Sequence, residues 1–226
     1  MSGNIDFMGK EQSILPLFPL QGVVFFPGMN LPLHIFEEHY KEMIQACLKT
    51  NKQFGIVLAV NDSFAQIGTV AEILDIEKLD EGKMNIFTEG KYRFKVVNFI
   101  SEEPYYVANI KPYNDDKEEI DSPLRKTIRQ VRKLSTKALD IFDIVSEQEL
   151  SKKLKLPNEP NELLFLVAAN LTCSHEVKQS VLEAKTIKER ANKILSLLEE
   201  EVQRLEILLE NKKTKSTVIK NGKLKI

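Results

Sequence analysis

The hydrophobic pattern of this 226-residue chain changes period once. Up to about residue 113, apolar residues come in short runs with signs of alternation. From Leu124 onward they recur at spacings of three and four. The first pattern marks half-buried strands, the second amphipathic helices. The change falls at NDDKEEIDSP, residues 114–123, a polar and acidic stretch. Strands first and helices afterwards predict an α+β chain rather than an interleaved α/β one. The length is enough to bury a core in each half.

In the first half, ILPLFPL reads as an extended run whose prolines remove backbone donors. VVFF reads as a short strand, Pro27-Gly28 as a turn, and Leu31 to Phe36 as extended chain. A short helix is predicted from Glu37 to about Lys49. QFGIVLAV and IGTVAEILDIEKL follow as strands, with LDEGK as a turn. KMNIFTEG and KYRFKVVNFI read as two strands divided at Glu89-Gly90, and PYYVANIKPY as the last of the set. Seven or so short strands with one small helix predict a closed or nearly closed, mostly antiparallel barrel over residues 1–113, its core starting near residue 13.

The second half, residues 122–210, is predicted helical. Ser122 reads as a cap with Pro123 in the first turn. Leu124, Ile128, Val131, Ala138, Ile141 and Phe142 form a stripe. A short helix near 147–154 and a buried one in PNEPNELLFLVAANL follow. The last helix is read as continuous from 175 to 210, capped by Ser174 and about 50 Å long. A small bundle cannot cover all of it, so a homodimer through its stripe is expected. Residues 211–226, rich in lysine, read as a flexible basic tail, with a hairpin at Asn221-Gly222 as the alternative.

No constellation for chemistry stands out. His34 and His39 are five apart in HIFEEH, one residue too many for the helical zinc pattern. Cys173-Ser174-His175 reads as a capped helix start. Glu89-Gly90-Lys91 lacks the upstream glycine and the hydroxyl of a phosphate loop. The sequence therefore predicts no enzyme, no cofactor and no metal. A net charge of −1 gives no overall field toward nucleic acid or anionic lipid. There is no run of 18 apolar residues and no basic-then-apolar leader. With two cysteines in the whole chain, a cytoplasmic, non-membrane protein is expected.

Two surfaces are candidates for binding. Phe25, Phe26, Met29 and Leu31, with Tyr105 and Tyr106, supply more apolar side chain than a small barrel needs inside, and predict a polypeptide-binding surface. Arg125, Arg129, Arg132 and Lys133 share a face of the 125–137 helix. They define the second reading, a nucleic-acid surface.

ILPLFPLQGVVFFPGMNLPLHIFEEHY, IGTVAEILDI, GKMNIFTEGKYRFKV and EVKQSVLEAKTIKERANKILSLLEEEVQRLE together resemble the N-terminal domain of Lon proteases, in order and spacing. The resemblance implies a PUA-like β-barrel followed by a helical bundle with a long final helix. It also implies a role in recognising unfolded or specific protein segments and in subunit association. No phosphate loop or room for a protease module is seen. The expectation is thus a stand-alone, ATP-independent binding module, or an adaptor for a separate protease or chaperone. The matching positions Pro16, Pro27, Gly28, Pro32, Gly68, Gly90, Arg93, Lys178, Gln179 and Glu183 are expected to be mainly structural.

Overall fold

The computed structural model describes residues 12–222 except residue 62, and not the side chains of residue 153 or of 215–222. The N-terminal residues read for a leader, 1–11, lie outside the described residues. Two compact units emerge. One holds the chain up to Asp116 together with Ser174–Lys185. The other holds Lys117–Cys173 and the chain from Thr186 onward.

The first unit contains β1 (Ser13–Gln21), β2 (Asn30–Ile35), α1 (Glu38–Leu48), β3 (Gln53–Val60), β4 (Ser63–Phe64), β5 (Ile67–Lys78), β6 (Met84–Ser101) and β7 (Val107–Pro112). Its strands form one seven-stranded sheet in the order β1-β7-β6-β5-β3-β4, with β2 branching from β6 and a further pairing of β1 with β3. This corrects the expected PUA-like barrel, although every pairing except β1 with β3 is antiparallel as expected. The sheet is mixed and branched, because β1 runs parallel to β3 while its other pairing is antiparallel. Prolines explain the divided strand. With donors missing at 16 and 19, β1 gives Ser13–Pro16 to β7 and Leu17–Gln21 to β3. Hydrophobic period marks which residues are strands, but not which strands become partners.

Two other expectations change. VVFF is not a strand. Val24, Phe25 and Phe26 are nonetheless buried, and the Thr69 hydroxyl donates to the Phe25 carbonyl at 2.5 Å. Glu89-Gly90 is not a turn, since β6 runs unbroken through it. A Cβ at Gly90 would lie 2.2 Å from the Phe26 carbonyl oxygen. The glycine serves close approach of two chain segments, the other use of glycine in a strand. Gly28, at φ +77°, does make a turn there, and its N–H donates to the Gly90 carbonyl at 2.7 Å.

The helix expected over 175–210 is broken. α5 (His175–Leu182) belongs to the sheet unit, and α6 (Ile187–Gly222) to the helical one. Thr186 starts the new helix, its Oγ1 accepting from the Glu189 N–H at 3.0 Å. The run Thr186-Ile187-Lys188-Glu189 is the start signal that a continuous apolar stripe concealed. Arg93 ties α5 to the sheet. Its guanidinium donates to the carbonyls of Leu182 at 2.5 Å and Ala184 at 2.8 Å, and to Asp115.

The helical unit contains α2 (Ser122–Ser146), α3 (Leu150–Lys153), α4 (Pro160–Asn170) and α6. Asp121, not Ser122, caps α2, accepting from the Leu124 N–H at 2.8 Å. Gln130 reaches Glu199, Lys137 reaches Glu206, and Lys212 reaches Glu147. Partners advance together along both helices, so α2 and α6 run in the same direction. The Lys212 ammonium also donates to the carbonyls of Ile144 and Val145, closing the end of α2. α6 continues to Gly222, through the start of the expected loose tail and through Asn221-Gly222. Residues 223–226 of that tail lie outside the described residues. At 36 residues, α6 is about 54 Å long.

Candidate functional site

The sheet unit covers most of what the sequence offered as a docking surface. Phe25 and Phe26 are 2% and 0% exposed, which removes both from any such surface. Met29, Leu31 and Tyr105 are half-buried and pack against the same core cluster as Phe25. Tyr106 packs elsewhere, beside the cluster of Leu15, Leu17 and Phe94. The opening block is therefore largely core. A cavity of about 440 Å3 does open in this unit, lined by the rings of Phe64, Phe99 and Tyr106 and by the polar side chains of Ser63, Gln66, Asn98 and Glu102. Its lining is mixed, with three aromatic rings packed on each other at centroid distances of 4.9 to 6.0 Å.

The positions expected to be structural have concrete partners. Pro16 pairs with Val107 and Pro32 with Phe87. A Cβ at Gly68 would lie 2.4 Å from the Ile56 carbonyl oxygen. Gln179 is buried, and its amide donates to the Ile67 carbonyl at 3.0 Å and to Glu183 at 2.8 Å. It thus ties α5 to strand β5. Lys178, its neighbour, is half-buried, as is Pro27. The Tyr113 hydroxyl donates to the Glu183 carbonyl at 2.8 Å.

The basic stripe on α2 is partly spent inside the helical unit. The Arg132 guanidinium donates to the carbonyls of Leu156, at 3.3 Å, and Pro157. Arg125 donates to the Ile120 carbonyl at 2.9 Å. Arg129 and Lys133 remain exposed. Half of the predicted face therefore organises local backbone.

The helical unit holds an apolar groove that the sequence did not single out. It has a volume of about 320 Å3. Ala138, Leu139 and Phe142 of α2 form one wall, and Leu166, Val167 and Leu171 at the end of α4 another. Leu198 and Leu205 of α6 form the floor, and Leu150, Leu154 and Leu156 the far rim. Phe142, Leu150 and Leu154 are 38%, 40% and 38% exposed, so the mouth is open. In the sequence these residues are ordinary members of apolar stripes, and nothing there tells a covered leucine from an uncovered one.

The rim depends on one carboxylate. Asp143, at the end of α2, accepts from the backbone N–H groups of Leu150 and Ser151 at 2.8 Å each. The Ser151 side chain first, and then these two backbone bonds, hold its pKa below the usual carboxylate range. Glu147, in a left-handed conformation at φ 59°, ends α2 and is likewise lowered by its bond to Lys212. Without these contacts the α3 segment, only four residues long, would have little to hold it.

Among the described residues, no group of three His, Cys, Asp or Glu residues is placed to hold a metal. His34 bonds to Asn85 at 2.7 Å and stacks on Phe36, while His39 lies by Glu37 and Tyr40. Burial pushes the Cys47 thiol up to about 12, far from a reactive thiolate. No helix among the described residues is long and apolar enough to cross a membrane.

The model for the substrate-binding domain of the ATP-dependent protease La (LON) matches residues 14–200. The Lon protease of Flavobacterium johnsoniae is 30% identical over 203 residues, covering 85% of this chain and 25% of that protein. Lon protease 1 of Hydrogenovibrio crunogenus is also 30% identical, over 197 residues, with 83% and 24% covered. The chain thus spans about a quarter of the length of these curated relatives. Among solved structures, the N-terminal domain of Mycobacterium avium complex Lon protease superposes with a TM-score of 0.65 at 16% identity, covering 83% of this chain and 98% of that one. The Lon N-terminal domain protein from Xanthomonas campestris gives 0.60 at 22% identity, covering 81% and 98%.

Proposed function

The chain belongs to the LON substrate-binding domain family, and from that premise we propose that it binds polypeptide segments without transforming them, using the apolar groove of the helical unit. The family match carries the reading. The groove supports it, because an open trough lined by leucine and phenylalanine suits apolar side chains of a segment that is not folded away. Polypeptide is preferred over nucleic acid because Arg132 and Arg125 are already engaged with backbone carbonyls.

The finer roles follow from the same premise. A homodimer would use α6, where Ile207 and Leu208 stand 60% and 43% exposed beyond buried Leu205. Delivery of the bound segment to a protease or chaperone is the adaptor form of this role. A cytoplasmic home fits the buried, inert thiol of Cys47.

The direct test is fluorescence anisotropy with a labelled, permanently unfolded model protein. Saturable binding that weakens when Phe142 and Leu154 are replaced by serine is expected. Absence of binding into the high micromolar range would defeat the proposal. Light scattering at two concentrations reads the dimer separately.

A further inference from the structure

We propose that the groove selects segments in which an apolar side chain stands next to a lysine or arginine. This rests on the polypeptide-binding reading above and adds a charge requirement to it. The apolar cavity continues past Leu171 into a smaller one of about 190 Å3, which shares Leu171 and Glu201 with it and is also lined by Thr172, Leu197, Glu200 and Arg204.

That second cavity is negative. The one cation lining it among the described residues, Arg204, is already committed, its Nε and Nη2 holding the two oxygens of Glu201 at 3.0 and 2.5 Å. Glu200 is then left with no cation of the cavity to match it. The end of α4 adds to the same sign. That helix has no basic residue in its last turn, and Leu171, which follows it, lines both cavities. The carbonyl end of a helix carries a partial negative charge that favours cations.

No lysine or arginine lines the apolar cavity among the described residues, and its polar donors are partly committed. The Ser135 hydroxyl donates to the Val131 carbonyl at 2.9 Å, and the Asn170 amide to the Leu166 carbonyl at 2.8 Å. A lysine or arginine fits the junction in both its parts. The aliphatic stem lies along leucine while the charged head reaches Glu200.

The experiment compares two fluorescein-labelled peptides on the full chain, each with the same leucine–phenylalanine core, one flanked by lysine and the other by glutamate. The lysine-flanked peptide should bind roughly three- to tenfold more tightly at low salt, the range of a single partly exposed charge pair. Added salt should shrink the gap, and Glu200→Lys should reverse it. Glu200 is exposed, so this variant retains the fold. Equal binding of both peptides, still lost in the Phe142→Ser variant, would overturn the charge requirement and leave the polypeptide reading standing. Failure of both peptides to bind would overturn both.

Discussion

The two units differ in how they place most of their polar groups. In the sheet unit, side chains reach inward to occupy buried backbone. Thr69 bonds the Phe25 carbonyl, Thr88 the Leu31 carbonyl, Gln179 the Ile67 carbonyl, and Arg93 the carbonyls of Leu182 and Ala184. Each of these donors is itself buried. The helical unit buries Arg190, which donates to the Asn161 side chain at 2.6 Å, but pairs such as Lys137 with Glu206 lie on its outside and leucines are left uncovered around a trough. A buried donor fixed to a particular carbonyl specifies one arrangement, because breaking it leaves an unsatisfied group. An open row of leucines specifies almost nothing about what covers it. Both units leave apolar side chains exposed, Phe87 and Ile100 among those of the sheet unit, but the helical unit gathers Phe142, Leu150 and Leu154 around one trough.

The strongest test of this contrast is Arg93→Met. It strands two buried carbonyls and the Asp115 carboxylate, and should cost about 3–5 kcal/mol by chemical denaturation, the range for removing one partner of a buried charged network. A cost below about 1 kcal/mol would mean that α5 is not anchored as described. Gly90→Ala comes next. With its Cβ 2.2 Å from the Phe26 oxygen, backbone must move, and about 1–3 kcal/mol is expected.

The groove should answer differently. Leu154→Ser and Phe142→Ser replace side chains 38% exposed, so the melting temperature should move little. Peptide affinity should fall about tenfold, or about 1.4 kcal/mol. A large loss of stability with unchanged binding would reverse the assignment of roles between the units.

The smallest effect is local and depends on pH. Asp143 and Glu147 have folded-state pKa values below their ordinary ones. Their contribution is therefore complete above the ordinary carboxylate range and fades as pH falls through the lowered folded values. Amide-exchange protection at Leu150 and Ser151 should drop over that acidic window, while protection in β5 and β6 stays. Equal loss in both places would show that the rim is not separately held.

Part of this was legible in the sequence. The change of period at 114–123 separates the strands from the helices, and the stripe on α2 marks Leu124, Val131 and Ile141 as buried, which they are. Strand partners were not legible, since alternation is the same for a parallel and an antiparallel neighbour. Nor was the use of Gly90, because glycine marks a turn and a close crossing with the same letter. The start of α6 at Thr186 was written in a capping pattern but masked by a stripe that continued across it. The groove was the hardest to see. It is made of leucines that differ from core leucines only in lacking a neighbour, and that lack arises from the placing of α3 by Asp143.

The excursion of the chain out of the sheet unit at Asp116 and back at Ser174 has a consequence during synthesis. Arg93 emerges from the ribosome 89 residues before Leu182, whose carbonyl it needs. The first unit can begin to collapse early, but it cannot lock until the helical insertion has been translated and α5 has followed it out.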